Sequence, residues 1–216
     1  MASLNEKIVI VTGASSGIGR AACLQLARRG ARIVAAARRG ERLESLAREI
    51  GDDGGVCVPV VADVTEEPDV DRLIGAAVER FSRVDILVNC AGRGLRRSVE
   101  ETSVESWRSV IDTNLSSVFL CSRAAFHVMR EQPRRGHNIT VSSIAALYGS
   151  PMYAAYCASK HGVTGFARSL RWEARRAGVR VSILHPGRVD TEFFDVYPRR
   201  PAGEAGRLPG RRRRGC

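Results

Sequence analysis

The chain has 216 residues, of which 44% are hydrophobic and 26% charged; that is the composition of an ordinary folded domain, long enough for one substantial core. The net charge of +11 suggests a nucleic-acid binder, but residues 197–216 hold seven arginines against one glutamate, and the mild basic excess before them carries no interleaved aromatic face, so a specific nucleic-acid function is excluded for the body. No apolar run approaches the roughly 20 residues needed to span a bilayer, and the polar start at Met1 lacks the regions of a secretory leader, so a cytoplasmic protein without membrane attachment is expected.

In chain order, residues 7–12 make a short apolar, β-branched run that reads as a first strand. Ile18, Ala21, Ala22 and Leu26 then recur at helical spacing up to Gly30. A second strand is predicted over 32–36, a helix over 41–50 stopped by Gly51, and a third strand over 56–61. Val70, Leu73, Ile74, Ala77, Val78 and Phe81 mark an amphipathic helix. A fourth strand follows at 86–89, a long helix at 104–132, a fifth strand at 137–142, a second long helix at 152–177 and a sixth strand at 180–185. Continuously apolar strands alternating with helices predict an α/β fold, a doubly wound parallel sheet with helices on both faces, over residues 1–195. From about residue 196 to 216 Pro, Gly and Arg replace the periodic pattern, and a disordered tail is expected. The six cysteines form no Cys-x-x-Cys pair and no zinc spacing with a histidine, so no metal site is expected and the thiols read as reduced and structural. His127, His137, His161 and His185 lack paired carboxylates or cysteines and read as structural or surface residues.

The junction of the first strand and first helix carries Thr12-Gly13-Ala14-Ser15-Ser16-Gly17-Ile18-Gly19. Gly13 suits a tight turn, Gly17 a close approach of backbone to phosphate, and Gly19 close packing of helix on sheet. The helix N-terminus adds unpaired N–H groups and a partial positive charge for a pyrophosphate, with the Ser15 and Ser16 hydroxyls beside it. A carboxylate at the end of the second strand would hold the ribose hydroxyl of NAD, but Ala37 stands there, followed by Arg38 and Arg39. Guanidinium groups suit a 2′-phosphate, so NADP (as NADPH) is predicted over NAD.

Tyr156 and Lys160 are four apart and share one helix face. A tyrosine hydroxyl near pKa 10 is a sluggish base, and a nearby ammonium together with an oxidised nicotinamide is expected to lower that value. Ser143, thirteen residues before Tyr156, suits a hydrogen-bond donor to a substrate carbonyl; Ser142 is the neighbouring alternative. Asn114 falls inside the apolar stripe of Trp107, Val110, Ile111, Leu115 and Val118, so a buried and hydrogen-bonded amide is expected there.

The glycine spacing, together with Asn89-Cys90-Ala91-Gly92, Asn114, Ser142-Ser143, Tyr156-Cys157-Ala158-Ser159-Lys160 and Pro186-Gly187-Arg188-Val189-Asp190-Thr191, resembles the short-chain dehydrogenase/reductase family from Lys7 to about Phe194. The resemblance implies a Rossmann-type oxidoreductase interconverting a secondary alcohol and a ketone by direct hydride transfer. It implies that Tyr156 is the general acid and base, that Lys160 also holds the nicotinamide ribose, and that Asn114 holds a relay water. Asp63 and Val64 would contact the adenine, Asn89, Ala91 and Gly92 would lie beside the cofactor, and Val189 and Thr191, after Pro186 and Gly187, would cover the nicotinamide amide and pyrophosphate. It also implies a homodimer paired through the two long helices.

Relatives normally continue with a substrate-covering segment, a further helix and a seventh strand. The Arg-, Pro- and Gly-rich sequence found instead reads as a truncated or frame-shifted end, with residues 180–185 left as a sheet edge. Two rival readings follow: a cofactor-binding protein without turnover, and a polyanion binder acting through Arg211–Arg214.

Overall fold

A computed structural model describes residues 4–133 and 136–194. Six strands form one parallel sheet: β1 Ile8–Thr12, β2 Arg32–Ala37, β3 Val56–Val61, β4 Ile86–Asn89, β5 His137–Val141 and β6 Arg180–Leu184. Their order is β3-β2-β1-β4-β5-β6. The chain therefore winds outward from β1 to β3, returns to the middle, and winds out the other way from β4 to β6. Loops leaving the C-terminal ends of β1 and β4 diverge, and a crevice opens between them.

Six helices connect these strands: α1 Gly17–Ala27, α2 Gly40–Asp52, α3 Glu67–Phe81, α4 Val104–Ile111, α5 Ser117–Glu131 and α6 Ala154–Arg176. Side chains alternate across the strands, so each face of the sheet has its own core. Ile8 and Ile10 pack with Val34 and Ala36 against Leu73, Ile74 and Ala77 of α3, Cys121 and Ala125 of α5, and Ala167 and Leu170 of α6. Val9 and Val11 pack with Ile33 and Ala35 on the other face, against Cys23 of α1 and Leu43, Leu46 and Ile50 of α2. Local chemistry agrees with these packings. Helix α3 opens with Pro68 and two acidic residues in its first turn and closes on Ser82, whose φ of 62° is left-handed.

The long helix expected over 104–132 is interrupted. Between α4 and α5, residues Asp112–Ser116 form a single π-helical turn. An i→i+5 turn inserts one extra residue into the helical repeat and shifts the inward face. Val110, Asn114, Ser117, Val118 and Cys121 point inward, whereas Trp107, expected in the buried stripe, is exposed. β5 and β6 each end one residue sooner than expected, at Val141 and Leu184. Among the described residues β6 is an edge of the sheet. The tail expected over 196–216 lies outside the described residues.

Buried Asp85 joins the starts of β1 and β4: it accepts from the Ile8 N–H at 2.9 Å, from Lys7 at 3.1 Å and from Arg83 at 2.9 Å. Burial raises its pKa, but these bonds outweigh it and hold the carboxyl below its usual range. Removing it leaves the Ile8 N–H without this acceptor and Lys7 and Arg83 without their carboxylate, although Arg83 keeps its bond to the Glu6 carbonyl. Asp85→Ala is expected to cost about 2 kcal/mol, read as a fall of roughly 4–8 °C in the thermal midpoint. An unchanged midpoint would show that water replaces the carboxylate.

Candidate active site

The crevice at the C-terminal ends of β1 and β4 is a cleft of about 520 Å³. The β1–α1 turn forms one wall. Gly13 has φ +68°, and a Cβ there would lie 2.8 Å from the Ala91 backbone. A Cβ on Gly19 would lie 2.3 Å from the Gly13 carbonyl oxygen, so Gly19 is required by the turn itself as much as by the sheet. Gly17, at φ +52°, leaves room beneath Thr191. Thr12 ties the two strand ends together, its hydroxyl accepting from the N–H groups of Cys90 and Ala91, each at 3.1 Å. Sequence reasoning placed Thr12 in the motif without seeing this role, since its partners are 78 and 79 residues away.

The arginines after β2 take different places. Arg39 turns into the glycine turn and donates to Ser15 Oγ at 2.9 and 3.1 Å and to Ser16 Oγ at 2.8 Å. Arg38 also lines the cleft but faces Asp63, 3.6 Å away. Asp63 accepts from the Thr65 N–H and hydroxyl at 3.0 and 2.8 Å, the strand-end cap that competes with a purely ligand-binding role. Val64, Ala91, Gly92, Pro186, Gly187, Val189 and Thr191 line the cleft. Asn89 does not: its side chain is buried behind β4 and donates to Ser122 Oγ at 3.2 Å and Asn138 Oδ1 at 3.0 Å. A strand alternates its side chains, and Asn89 falls on the face covered by α5.

At the other end of the cleft stand Ser143, Tyr156 and Lys160. Ser143 follows β5 and caps a short 3₁₀ turn, its oxygen accepting from the Ala145 N–H at 3.1 Å. The hydroxyl hydrogen is left to donate. Ser142 is instead buried, 3.3 Å from the Lys160 carbonyl and 3.0 Å from Thr164 Oγ1. Lys160 sits on α6 one turn after Tyr156, with Nζ 5.9 Å from the tyrosine ring centroid and donating to the Val141 carbonyl at 3.0 Å. Burial pulls its pKa down to about 8. Burial raises the Tyr156 pKa, and the Ser143 side chain opposes that rise. In the chain by itself, desolvation of the phenolate outweighs the stabilisation that Ser143 provides.

Asn114 lies at the centre of the π turn and is fully buried. Its amide donates to the Arg93 carbonyl at 3.0 Å and to Ser159 Oγ at 2.9 Å, and its oxygen accepts from the Arg93 N–H at 2.7 Å. It thus pins the loop after β4 to α6. A Cβ on Gly92 would sit 3.3 Å from Asn114 Oδ1 and 3.7 Å from Lys160 Nζ, so this glycine lets both polar groups approach the cleft floor.

Sequence reasoning missed Cys90, Arg93, Arg42, Glu192 and Phe193. Cys90 lines the cleft, and burial pushes its thiol up to about 11, which leaves it protonated and unreactive at neutral pH. Arg42 donates to Glu192 at 2.8 and 3.1 Å, and these bonds hold that carboxyl below its usual range. The Phe193 ring lies 5.8 Å from the Tyr156 ring. Nothing in the periodicity around residues 191–194 signals these contacts.

The family model for short-chain dehydrogenases matches residues 7–200. The chain belongs to the short-chain dehydrogenase/reductase family. It is similar to a 3-oxoacyl-[acyl-carrier-protein] reductase of Synechocystis, at 37% identity over 196 residues, covering 90% of this chain and 79% of that one. Among solved structures it is similar to a short-chain dehydrogenase/reductase of Burkholderia phymatum in complex with NAD, with a TM-score of 0.87, 31% identity, and 90% and 70% of the two chains covered. A short-chain dehydrogenase of Mycobacterium smegmatis gives a TM-score of 0.84, 32% identity, and 87% and 79% coverage.

A buried lysine with a depressed pKa costs stability below about pH 8, where folding must carry the charge, and the cost fades as pH rises toward the ordinary lysine value. Lys160→Met is expected to stabilise the protein at pH 7 by on the order of 2 kcal/mol, a rise of roughly 4–8 °C in the thermal midpoint. The gain should shrink by pH 10. A variant less stable than the parent at pH 7 would show that the Val141 bond outweighs desolvation.

Proposed function

We propose that the protein is an NADP-dependent oxidoreductase that interconverts a secondary alcohol and a ketone, with Tyr156 as general acid and base. The observation that carries this reading is one cleft with two chemically distinct ends. One end has Arg39 hydrogen-bonded into the Ser15–Ser16 turn and no carboxylate on Ala37; the other has Tyr156, Ser143 and buried Lys160. The donor set fits a dinucleotide. The glycines leave space that a Cβ would fill, the α1 N-terminus offers N–H groups that the Ser16 side chain does not cap, and Arg39 offers a fork suited to a 2′-phosphate.

When bound, a nicotinamide cofactor supplies or accepts the hydride. The chain's own residues handle the proton. In the reductive direction Ser143 donates a hydrogen bond to the substrate carbonyl oxygen, where negative charge develops. The Tyr156 hydroxyl then gives its proton to that oxygen. Lys160 keeps an ammonium near the phenolate left behind, and the low dielectric that depresses its pKa also strengthens its attraction to that anion. Asn114 keeps the loop carrying Arg93 against α6 and so maintains the distance between Gly92 and Lys160. The Synechocystis relative supports a ketone carbonyl as the reacting group. Free thiols at all five described cysteines support a reducing, cytoplasmic setting. Exposed Val104, Trp107 and Phe119 on α4 and α5 and exposed Trp172 on α6 support pairing of two copies through the two long helical segments.

The test is NADPH oxidation with a panel of ketones and 3-oxoacyl thioesters. Tyr156→Phe is expected to lower kcat by about 10²–10⁴ while leaving NADPH binding unchanged. Ser143→Ala should cost about 10²–10³. Equal turnover by Tyr156→Phe and the parent would remove the assigned role, and NADPH binding with no reduction of any carbonyl would leave a cofactor-binding protein without turnover.

A further inference from the structure

Residues 191–193 cross the cleft from one end to the other. Thr191 lies over Gly17, its side chain 3.4 Å from where a Cβ on that glycine would be. Glu192 reaches the arginine end, within 2.8 Å of Arg42 and 3.6 Å of Arg39, while the same Arg39 is bonded to Ser15 and Ser16. Phe193 reaches the opposite end, packed beside Tyr156 and against Gly94, where a Cβ would come within 3.2 Å of its ring. Both side chains line the cleft.

We propose that Glu192 is an internal competitor for a 2′-phosphate, holding residues 191–193 as a strap across the cleft until a 2′-phosphorylated nucleotide takes its place on Arg39 and Arg42. The proposal rests on the NADP reading above and adds Arg42 to the anion site. The chemistry of exchange is simple. A carboxylate brings one negative charge and two acceptor oxygens. A phosphate monoester brings about −1.5 to −2 charge at neutral pH and three strong acceptor oxygens, and a guanidinium fork donates bidentately to either group. A phosphate therefore displaces the carboxylate, whereas a ribose hydroxyl, which carries no charge, does not. Because Phe193 is the next residue, releasing Glu192 also frees the ring beside Tyr156. The adenosine end of the cofactor thereby governs access to the proton-handling end.

The experiment uses fragments that do not reach Tyr156. Binding of adenosine 2′,5′-bisphosphate and of adenosine 5′-monophosphate is measured by calorimetry on the parent chain and on Glu192→Gln, an exposed substitution that leaves the core untouched. The expected result is bisphosphate binding about fivefold tighter in the variant, the scale of one exposed ion pair removed from competition, with monophosphate affinity unchanged. A bisphosphate preference of equal size in both proteins would overturn the strap and leave the NADP reading standing. Equal tightening of both fragments would also overturn it, since Glu192 would then obstruct the cleft without competing for the anion site. No bisphosphate preference in either protein would overturn the strap and the NADP reading together.

Discussion

The closeness of two strand ends governs this molecule. Where β1 and β4 exit the sheet, the backbone of Gly13 lies so near Ala91 that no side chain fits between them, and the Thr12 hydroxyl accepts from both N–H groups of the returning loop. The parallel order of the sheet brings these ends together, because the chain reverses its winding between β1 and β4. Once they meet, the glycine turn and the Cys90–Gly94 loop become two walls of one cleft. The strands that supply Ser143 and Pro186 lie beside them in the same sheet and open onto the same edge.

Polar groups held at that edge carry a cost that the apolar cores below must offset. Lys160 is buried with its ammonium on one carbonyl, Asn114 is buried inside a helix, and Asn89 leaves its Oδ1 without a protein partner, the one such buried side-chain atom among the described residues. An unsatisfied buried acceptor of this kind costs about 1–3 kcal/mol. The π turn belongs with these features. Asn114 sits at its centre and faces Arg93 and Ser159 together. Two thick cores make such irregularity tolerable: β1 and β2 are packed against helices on both faces.

Much of this was legible in the chain. All six strands and their alternation with helices followed from short apolar runs and 3.6-residue periodicity, and β3 and β4 fell at their observed bounds. The cleft residues of the glycine turn, Arg39, Ser143, Tyr156 and Lys160 were readable because each lies in a local pattern with a physical purpose. The misreadings share another cause. The break in the long helix, the exposure of Trp107 and the inward turn of Asn89 depend on what packs against the element. The contacts of Thr12, Arg42 and Glu192 join residues far apart in sequence, and no window along the chain contains both partners.

The sequence by itself determined the type and order of the elements and the kinds of group available for chemistry, since periodicity, glycine placement and residue type act over a few neighbouring residues. Only the tertiary structure decided which arginine bonds into the turn, which serine hydroxyl is tied to α6, and how burial acts on the tyrosine. These outcomes depend on burial and on distances between segments. A tyrosine four residues before a lysine is readable as a pair, but the desolvation that raises one pKa and depresses the other exists only after the sheet, α6 and the loops have closed around them.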